Sequence, residues 1–266
     1  MSDLIIMLPA IALRGTTILP DMIVHFDISR VRSVKAVEEA MLHDQKIFLI
    51  TQKDTEVDDP GQADVYKIGT VAVIKQVVKL PKGVLRVLVE GLERAELLGF
   101  EPREDMLEAE IVTFEKDGAE PVSENVIEAM LRNLKEVFAV YCQESQKISR
   151  ELMLQILEFD DVEKLVDQIA INMPVSYEQR QKLLEAVELK DRYETLSVLL
   201  SNEVEILKIR AEFQNQVKAR IDKNQKEYIL REQLKLILSL IHIWEPTPVP
   251  RRAQTRKSRA GRTETA

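Results

Sequence analysis

Between Leu189 and Ile237 the chain runs for about fifty residues without a single Pro or Gly, while charged and apolar residues alternate at helical spacing. The pattern predicts one long helix. At 1.5 Å per residue it would extend about 70 Å, roughly twice the diameter of a compact domain of this size, so most of it has no core of its own to pack against. Leu196, Leu199, Leu200, Val204, Leu207 and Phe213 supply enough apolar surface in the first half to dock on a preceding bundle. Beyond them the stripe thins to Val217, Ile221 and Tyr228 among Asn, Gln, Lys, Arg and Asp, a width that suits a coiled-coil seam or a solvated spacer. Ile206, Val217 and Tyr228 recur every eleven residues, which favours nearly straight or slightly right-handed winding.

What precedes the helix has two characters. Leu4 to Leu13, interrupted by Pro9, reads as an opening edge strand. Met22 to Ile28, Lys46 to Thr51, Tyr66 to Lys79, Val84 to Val89, Glu93 to Phe100 and Met106 to Phe114 follow as further strands, with turn chemistry at Pro81-Lys82-Gly83 and at Asp58-Asp59-Pro60-Gly61. One short helix, capped by Ser33 and carrying Ala36, Val37, Ala40 and Met41 on one face, interrupts them. About six strands in this length predict a small, partly closed barrel. After Gly118 the period changes. Ile127, Met130, Leu131, Leu134, Val137, Phe138 and Tyr141 follow helical spacing, shorter helices are expected near 149–157 and 161–172, and Ser176 with Gln179 forms a capping box for another. The fold class is therefore α+β: a β-rich, barrel-like domain at 1–116, a helical bundle at 120–190, and a long projecting helix at 191–237.

Charge narrows the function. The net charge is −8, but residues 238–266 hold six Arg/Lys against Glu245 and Glu264, a balance of +4, so residues 1–237 carry −12. So acidic a body lacks the basic face that phosphate backbones require. Cys142 is the single cysteine, which excludes an internal disulfide or a Cys-based metal site and fits a reducing compartment. No leader pattern opens the chain and no apolar run reaches membrane-spanning length, so a cytoplasmic protein is expected, with no membrane partner.

Candidate chemistry is sparse. Ser145 with Lys147, and Ser33 with Lys35, lie in charged surroundings that do not desolvate a lysine for base catalysis. His25 and His43 lack Cys partners, and Glu56, Asp58 and Asp59 match no calcium loop. No Gly-x-x-x-x-Gly-Lys-Ser/Thr run occurs, so no cradle for ATP phosphates is expected. Gly83 and Gly91 read as turn residues. No catalytic, cofactor-binding or metal-binding residue is assigned.

Several ordered segments together carry a resemblance. Leu13-Arg14-Gly15 with Pro20, Lys35-Ala36-Val37-Glu38-Glu39-Ala40, Tyr66-Lys67-Ile68-Gly69-Thr70-Val71-Ala72 and Val87-Leu88-Val89-Glu90-Gly91-Leu92-Glu93-Arg94 resemble, in that order, the amino-terminal region of the Lon family of ATP-dependent serine proteases. Asn224 to Tyr228 with Leu230 to Lys235 resembles the segment just before that family's ATPase module. The resemblance implies a PUA-like β domain and a substrate-recognition and assembly region of a cytoplasmic homohexamer. In the whole family ATP and Mg drive unfolding and a Ser-Lys dyad cuts peptide bonds. Its implied partners are unfolded or misfolded polypeptides and the chain's own subunits. A free-standing β-domain module for peptide or RNA is the alternative, which the acidic body disfavours.

Leu238-Ser239-Leu240-Ile241-His242-Ile243-Trp244, followed by Glu245-Pro246-Thr247, resembles a translated adapter from DNA library preparation. Residues 238–266 are therefore expected to be a non-native, disordered tail on a gene product truncated before its ATPase module, with a genuine basic extension as the alternative.

Recognition of unfolded chains needs apolar surface left uncovered. Two places offer it: the β face near Leu13 and Ile18, and Tyr228-Ile229-Leu230 on the long helix. Consecutive helical residues are 100° apart, so the three cover about 200° of the helix surface and cannot all enter one seam. Tyr228, Ile229 and Leu230 are the expected substrate or subunit contact.

Overall fold

The computed structural model describes residues 5–101, 103, 105–114, 123–145 and 147–243, with the backbone alone for 240–243. The chain divides into two compact units, Met1–Ile209 and Arg210–Ala266. Among the described residues, all strands lie in the first unit: β1 (Ile5–Leu13), β2 (Ile23–Ile28), β3 (Lys46–Thr51), β4 (Ile68–Lys79), β5 (Leu85–Glu101) and β6 (Leu107–Thr113). They form one sheet in the order β2-β5-β4-β3-β1-β6, which closes on itself because β5 also pairs with β6. Helix α1 (Val31–Leu42) packs over β1, β3 and β6.

Three strand readings change in the structure. The first strand is not an edge: β1 pairs antiparallel with β6 from Ile5 to Ala10 and parallel with β3 from Ala10 to Leu13. Pro9 is tolerated because the β3 ladder begins only at the next residue, so nothing there calls on its missing donor. Val84 to Val89 and Glu93 to Phe100 are one strand, the seventeen-residue β5. Gly91 lies inside it and is no turn. The register against β4 shifts between Ala72 opposite Gly91 and Val71 opposite Glu93, a bulge that leaves Leu92 without an opposite residue and bends the strand. Gly83 is a turn residue, with φ +77°. Helix α1 begins at Val31 with Arg30 in the capping position, and Ser33 is buried within it. Arg30 is held there by its own side chain, which donates to the Gln52 Oε1 at 2.8 Å and to the Val57 carbonyl at 3.1 Å.

The helical half follows its capping signals. The Ser149 hydroxyl accepts from the Leu152 N–H to open α3 (Arg150–Leu157), and Asp161 opens α4 (Val162–Asn172). At α5 (Tyr177–Glu185) the Ser176 hydroxyl accepts from the Gln179 N–H, and Gln179 accepts from the Ser176 N–H, the reciprocal pair a capping box requires. With α2 (Glu124–Ser145) these helices bury Leu134, Phe138, Tyr141, Leu165, Ile169 and Leu184 around the start of α6 (Leu189–Ile243). Leu196, Leu200 and Val204 of α6 are buried there, Leu199 and Leu207 partly so, whereas Phe213 is 66% exposed and no part of that core. The core includes Leu19 and takes Met22 and Ile68 from the β half, while two further cores lie wholly within the β half.

Helix α6 is described as far as Ile243, six residues past the expected end at Ile237. The first helix breaker after Leu189 is Pro246, so nothing in Leu238 to Ile243 interrupts the backbone bonding. The rest of the expected tail, 244–266, lies outside the described residues.

Cys142 is buried on α2, and burial pushes its thiol from the ordinary 9.0 up to about 11. The reactive thiolate is correspondingly scarce at neutral pH. A thiol-reactive dye is expected to label the native chain slowly and the urea-unfolded chain at the rate of a free cysteine; equal rates would contradict this packing. Because the folded value is the higher one, the folded state keeps its proton longer. The stability contributed by the buried thiol is full below pH 9.0 and is lost as pH rises toward about 11.

Candidate functional site

From Arg210 to Ser239, α6 is exposed at every residue except Glu232, which is half-buried. Tyr228, Ile229 and Leu230 are 67%, 54% and 60% exposed. Helical geometry divides them between two faces. Tyr228 and Ile229 line a shallow depression with Ile221, Asn224 and Gln225, residues spaced three, four, seven and eight along the chain. Leu230 stands with Leu234 and Ile237, also exposed, at spacings of four and seven on another side. The site is two narrow apolar strips on a charged helix. It offers contact area and no convergent polar groups, so it can hold apolar side chains but cannot organise a reaction.

The other candidate apolar surface is not available. Leu13 and Ile18 are 5% and 2% exposed and belong to the interior of the sheet, against Ile11, Ile47 and Leu49. Short apolar runs beside turn residues look alike in sequence whether they cover a core or lie open.

The polar candidates resolve into local pairs. Asp58 accepts from Arg14 at 2.6 Å, and Asp59 from Arg32 at 2.6 Å, so the acidic turn is clamped by arginines. The Arg14 hydrogen bond holds the Asp58 carboxyl below its ordinary range. His43 closes α1 beside Glu39, 3.2 Å away, while His25 lies on β2. Ser33 and Lys35 are two apart on α1 and so point to different sides of it. Ser145 is the last residue of α2, and Lys147 lies beyond the helix end. Among the described residues, no group of three or more His, Cys, Asp or Glu side chains is placed to hold a metal ion.

One polar cluster is invisible in the sequence. Arg94 of β5 donates to Asp167 Oδ1 of α4 at 2.9 Å, and Arg192 at the start of α6 donates to Asp167 Oδ2 at 2.9 Å. Arg192 also donates to the carbonyls of Val187 and Ala186 and reaches Glu163 at 3.4 Å. All three central side chains are under a tenth exposed. Burial lowers the pKa of the Arg94 guanidinium, and Asp167 opposes that shift. The cluster binds the sheet to the helices by charge where the surrounding contacts are apolar. Its members are 73 and 25 residues apart, and no short-range pattern announces it.

Comparison with known proteins places these features in a family. The pattern of the ATP-dependent protease La (LON) substrate-binding domain matches residues 7–202. The Lon protease of Lachnoclostridium phytofermentans is 42% identical over 237 residues, covering 89% of this chain and 29% of that protein. Lon protease 1 of Bacillus subtilis is 37% identical over 230 residues, covering 86% of this chain and 29% of the relative. The chain thus spans about 29% of the length of these relatives. Among solved structures, the N-terminal domain of a Mycobacterium avium complex Lon protease superposes with a TM-score of 0.60 at 19% identity, over 73% of this chain and 98% of that one. A Lon N-terminal domain protein from Xanthomonas campestris gives 0.50 at 17% identity, over 72% and 96%. At such identities the superpositions speak for the fold alone. The family pattern, running from the third residue of β1 into α6, carries the assignment: this chain belongs to the Lon family, through its substrate-binding domain.

Proposed function

We propose that the chain engages unfolded or misfolded polypeptide for an ATP-dependent serine protease and performs no bond-breaking step itself. The observation that carries this reading is the exposure of Tyr228, Ile229 and Leu230 on a helix whose flanking Lys226, Glu227, Arg231 and Glu232 keep it solvated. Unfolded chains present scattered apolar side chains, and a narrow strip meets them without needing a preformed partner surface. The aromatic ring adds a large apolar face at modest entropy cost. In this reading ATP, Mg and the Ser-Lys dyad belong to parts of the relatives that this chain does not span, and the setting is a cytoplasmic homohexamer.

A second reading assigns the same residues to packing between subunits. It is favoured by the division into two apolar faces, since one can pack while the other stays free. RNA binding is disfavoured by the −12 charge of residues 1–237.

Anisotropy of a labelled, reduced and carboxymethylated protein separates these readings when measured beside molecular mass by light scattering. Replacing Tyr228, Ile229 and Leu230 together by Ala preserves helix propensity. Loss of about 1.4 kcal/mol or more of apolar contact weakens binding by about tenfold or more if the strip holds substrate. A lower mass with binding intact assigns the residues to subunit packing, and no change in either removes the site. Tight, salt-sensitive capture of RNA instead would favour a nucleic-acid module.

A further inference from the structure

Strand β2 stands at one end of the sheet order and pairs antiparallel with β5 and with no other strand among the described residues. The phase of its hydrogen bonding follows from Gly91, whose N–H donates to the Met22 carbonyl at 3.0 Å. The same register continues with Val24 opposite Val89, Phe26 opposite Val87 and Ile28 opposite Leu85. Bonded and non-bonded pairs alternate in an antiparallel ladder, so Val24, Phe26 and Ile28 direct their backbone groups at β5. Ile23, His25 and Asp27 direct theirs to the other side, where none has a hydrogen-bond partner among the described residues. Their side chains are exposed as well, Ile23 by 65%, whereas Val24 and Phe26 pack on the core. Helix α1 does not occupy the place, since it packs chiefly over β1, β3 and β6.

Sheet edges in folded proteins are ordinarily blunted by Pro, Lys, a bulge or an inward-pointing charge. Ile23 to Ile28 contains none of these. The one acid on the strand, Asp27, is consumed by Arg86 of β5, which donates to both its oxygens at 2.7 and 2.8 Å. Glu90, opposite Ile23, is held by Lys75 at 2.6 Å. Charges beside the edge are therefore paired within the sheet. An incoming strand meets backbone donors and acceptors, the Ile23 side chain and the His25 ring.

We propose that β2 takes an extended, uncharged segment of unfolded polypeptide as an additional antiparallel or parallel strand, hydrogen-bonded to the main chain of Ile23, His25 and Asp27. The proposal rests on the polypeptide-binding reading above and supplies a mode for it. Main-chain pairing accepts almost any side chains, which suits a receptor for substrates that share no sequence. Charge excludes one class of occupant, since the acidic body repels an acidic segment; with Asp27 and Glu90 already paired, no free carboxylate at the edge singles out a basic one, and recognition falls to the main chain.

The test uses the whole chain and a short labelled peptide of alternating Val and Thr, followed by anisotropy. Two twins of the peptide are N-methylated, one on alternate residues and one on every residue. The parent peptide is expected to bind, the first twin to bind within a few-fold of it through its free edge, and the fully methylated twin to lose about tenfold or more, because neither of its edges keeps a donor. His25→Pro removes an outward N–H without touching the β5 ladder and is expected to weaken the parent peptide similarly, at a melting temperature close to that of the parent chain. The methylated peptides decide the matter even where that variant unfolds. If the fully methylated twin binds like the parent, strand addition is overturned while polypeptide binding stands. If neither the peptide nor carboxymethylated unfolded protein binds, both readings fall. A chain dimer that the peptide does not dissociate and His25→Pro does assigns the edge to a second copy and also overturns the proposal.

Discussion

Asp167→Ala will lower the unfolding free energy by about 3–5 kcal/mol, because it strands two buried guanidinium groups with one partially exposed carboxylate between them. That is a large fraction of an ordinary domain's stability. Arg94→Met will cost less, since Asp167 keeps Arg192 and the lost cation takes its own desolvation penalty with it. Arg192→Met falls between them: it spares Asp167 its Arg94 partner but releases the carbonyls of Ala186 and Val187. Urea denaturation followed by circular dichroism gives all three values. An Asp167→Ala change within about 1 kcal/mol of the parent would mean that water reaches the cluster and that charge does not fasten the sheet to the helices.

The order of these effects bears on what the cluster does. Replacement of buried ion pairs by apolar side chains is often neutral in stability, so their presence argues more for a fixed arrangement than for a stronger one. Here the arrangement fixed is that of β5, α4 and the first turn of α6. Apolar contacts alone tolerate sliding; two guanidinium groups sharing the two oxygens of one carboxylate do not. Within the first unit, the first turn of α6 is thus held in one place against β5 and α4.

Local signals carried most of the element assignments. The helical spacing near 149–157 and 161–172, the capping box at Ser176 and the breaker-free run after Leu189 are short-range features, and each appears in the structure as a helix. Positions that depend on partners far along the chain were not legible. Pro9 marks an edge only if the sheet order is known, and β1 acquires its second neighbour from β6, about a hundred residues later in sequence. Ser33 is a good capping residue, but Arg30 is anchored to Gln52 and Val57 and moves the helix start upstream. The exposed strip at Tyr228 was readable because a helix has a period against which three consecutive bulky residues stand out. The free edge of β2 was not, since an edge is a property of the pairing of all six strands.

Gly91 is the sharpest case of a residue whose role only the fold reveals, and Gly91→Ala should destabilise the chain by about 2–3 kcal/mol or more. A Cβ built there would lie 2.3 Å from the Leu19 carbonyl oxygen and 3.1 Å from its carbon. Both are backbone atoms of a buried residue, next to Pro20, so neither can swing aside as the end of a side chain would. The Gly91 amide and carbonyl are also committed, to the Met22 carbonyl and the Asp21 N–H, which locks the two segments at this separation. Relief therefore has to come from moving β5 away from residues 19–22, at the expense of those bonds and of the first residues of the β2 ladder. Gly99→Ala provides the matched control on the same strand. Its Cβ would meet only the Gln62 Oε1, at 3.9 Å, an ordinary contact, and its backbone is not in the left-handed region. The control is expected to be neutral or to gain about half a kcal/mol from a stiffer unfolded chain. Equal melting temperatures for the two variants would show that the Leu19–Gly91 approach is not the tight contact described. A drop confined to Gly91→Ala, with weaker peptide capture at β2, would link the close approach to the strand edge it supports.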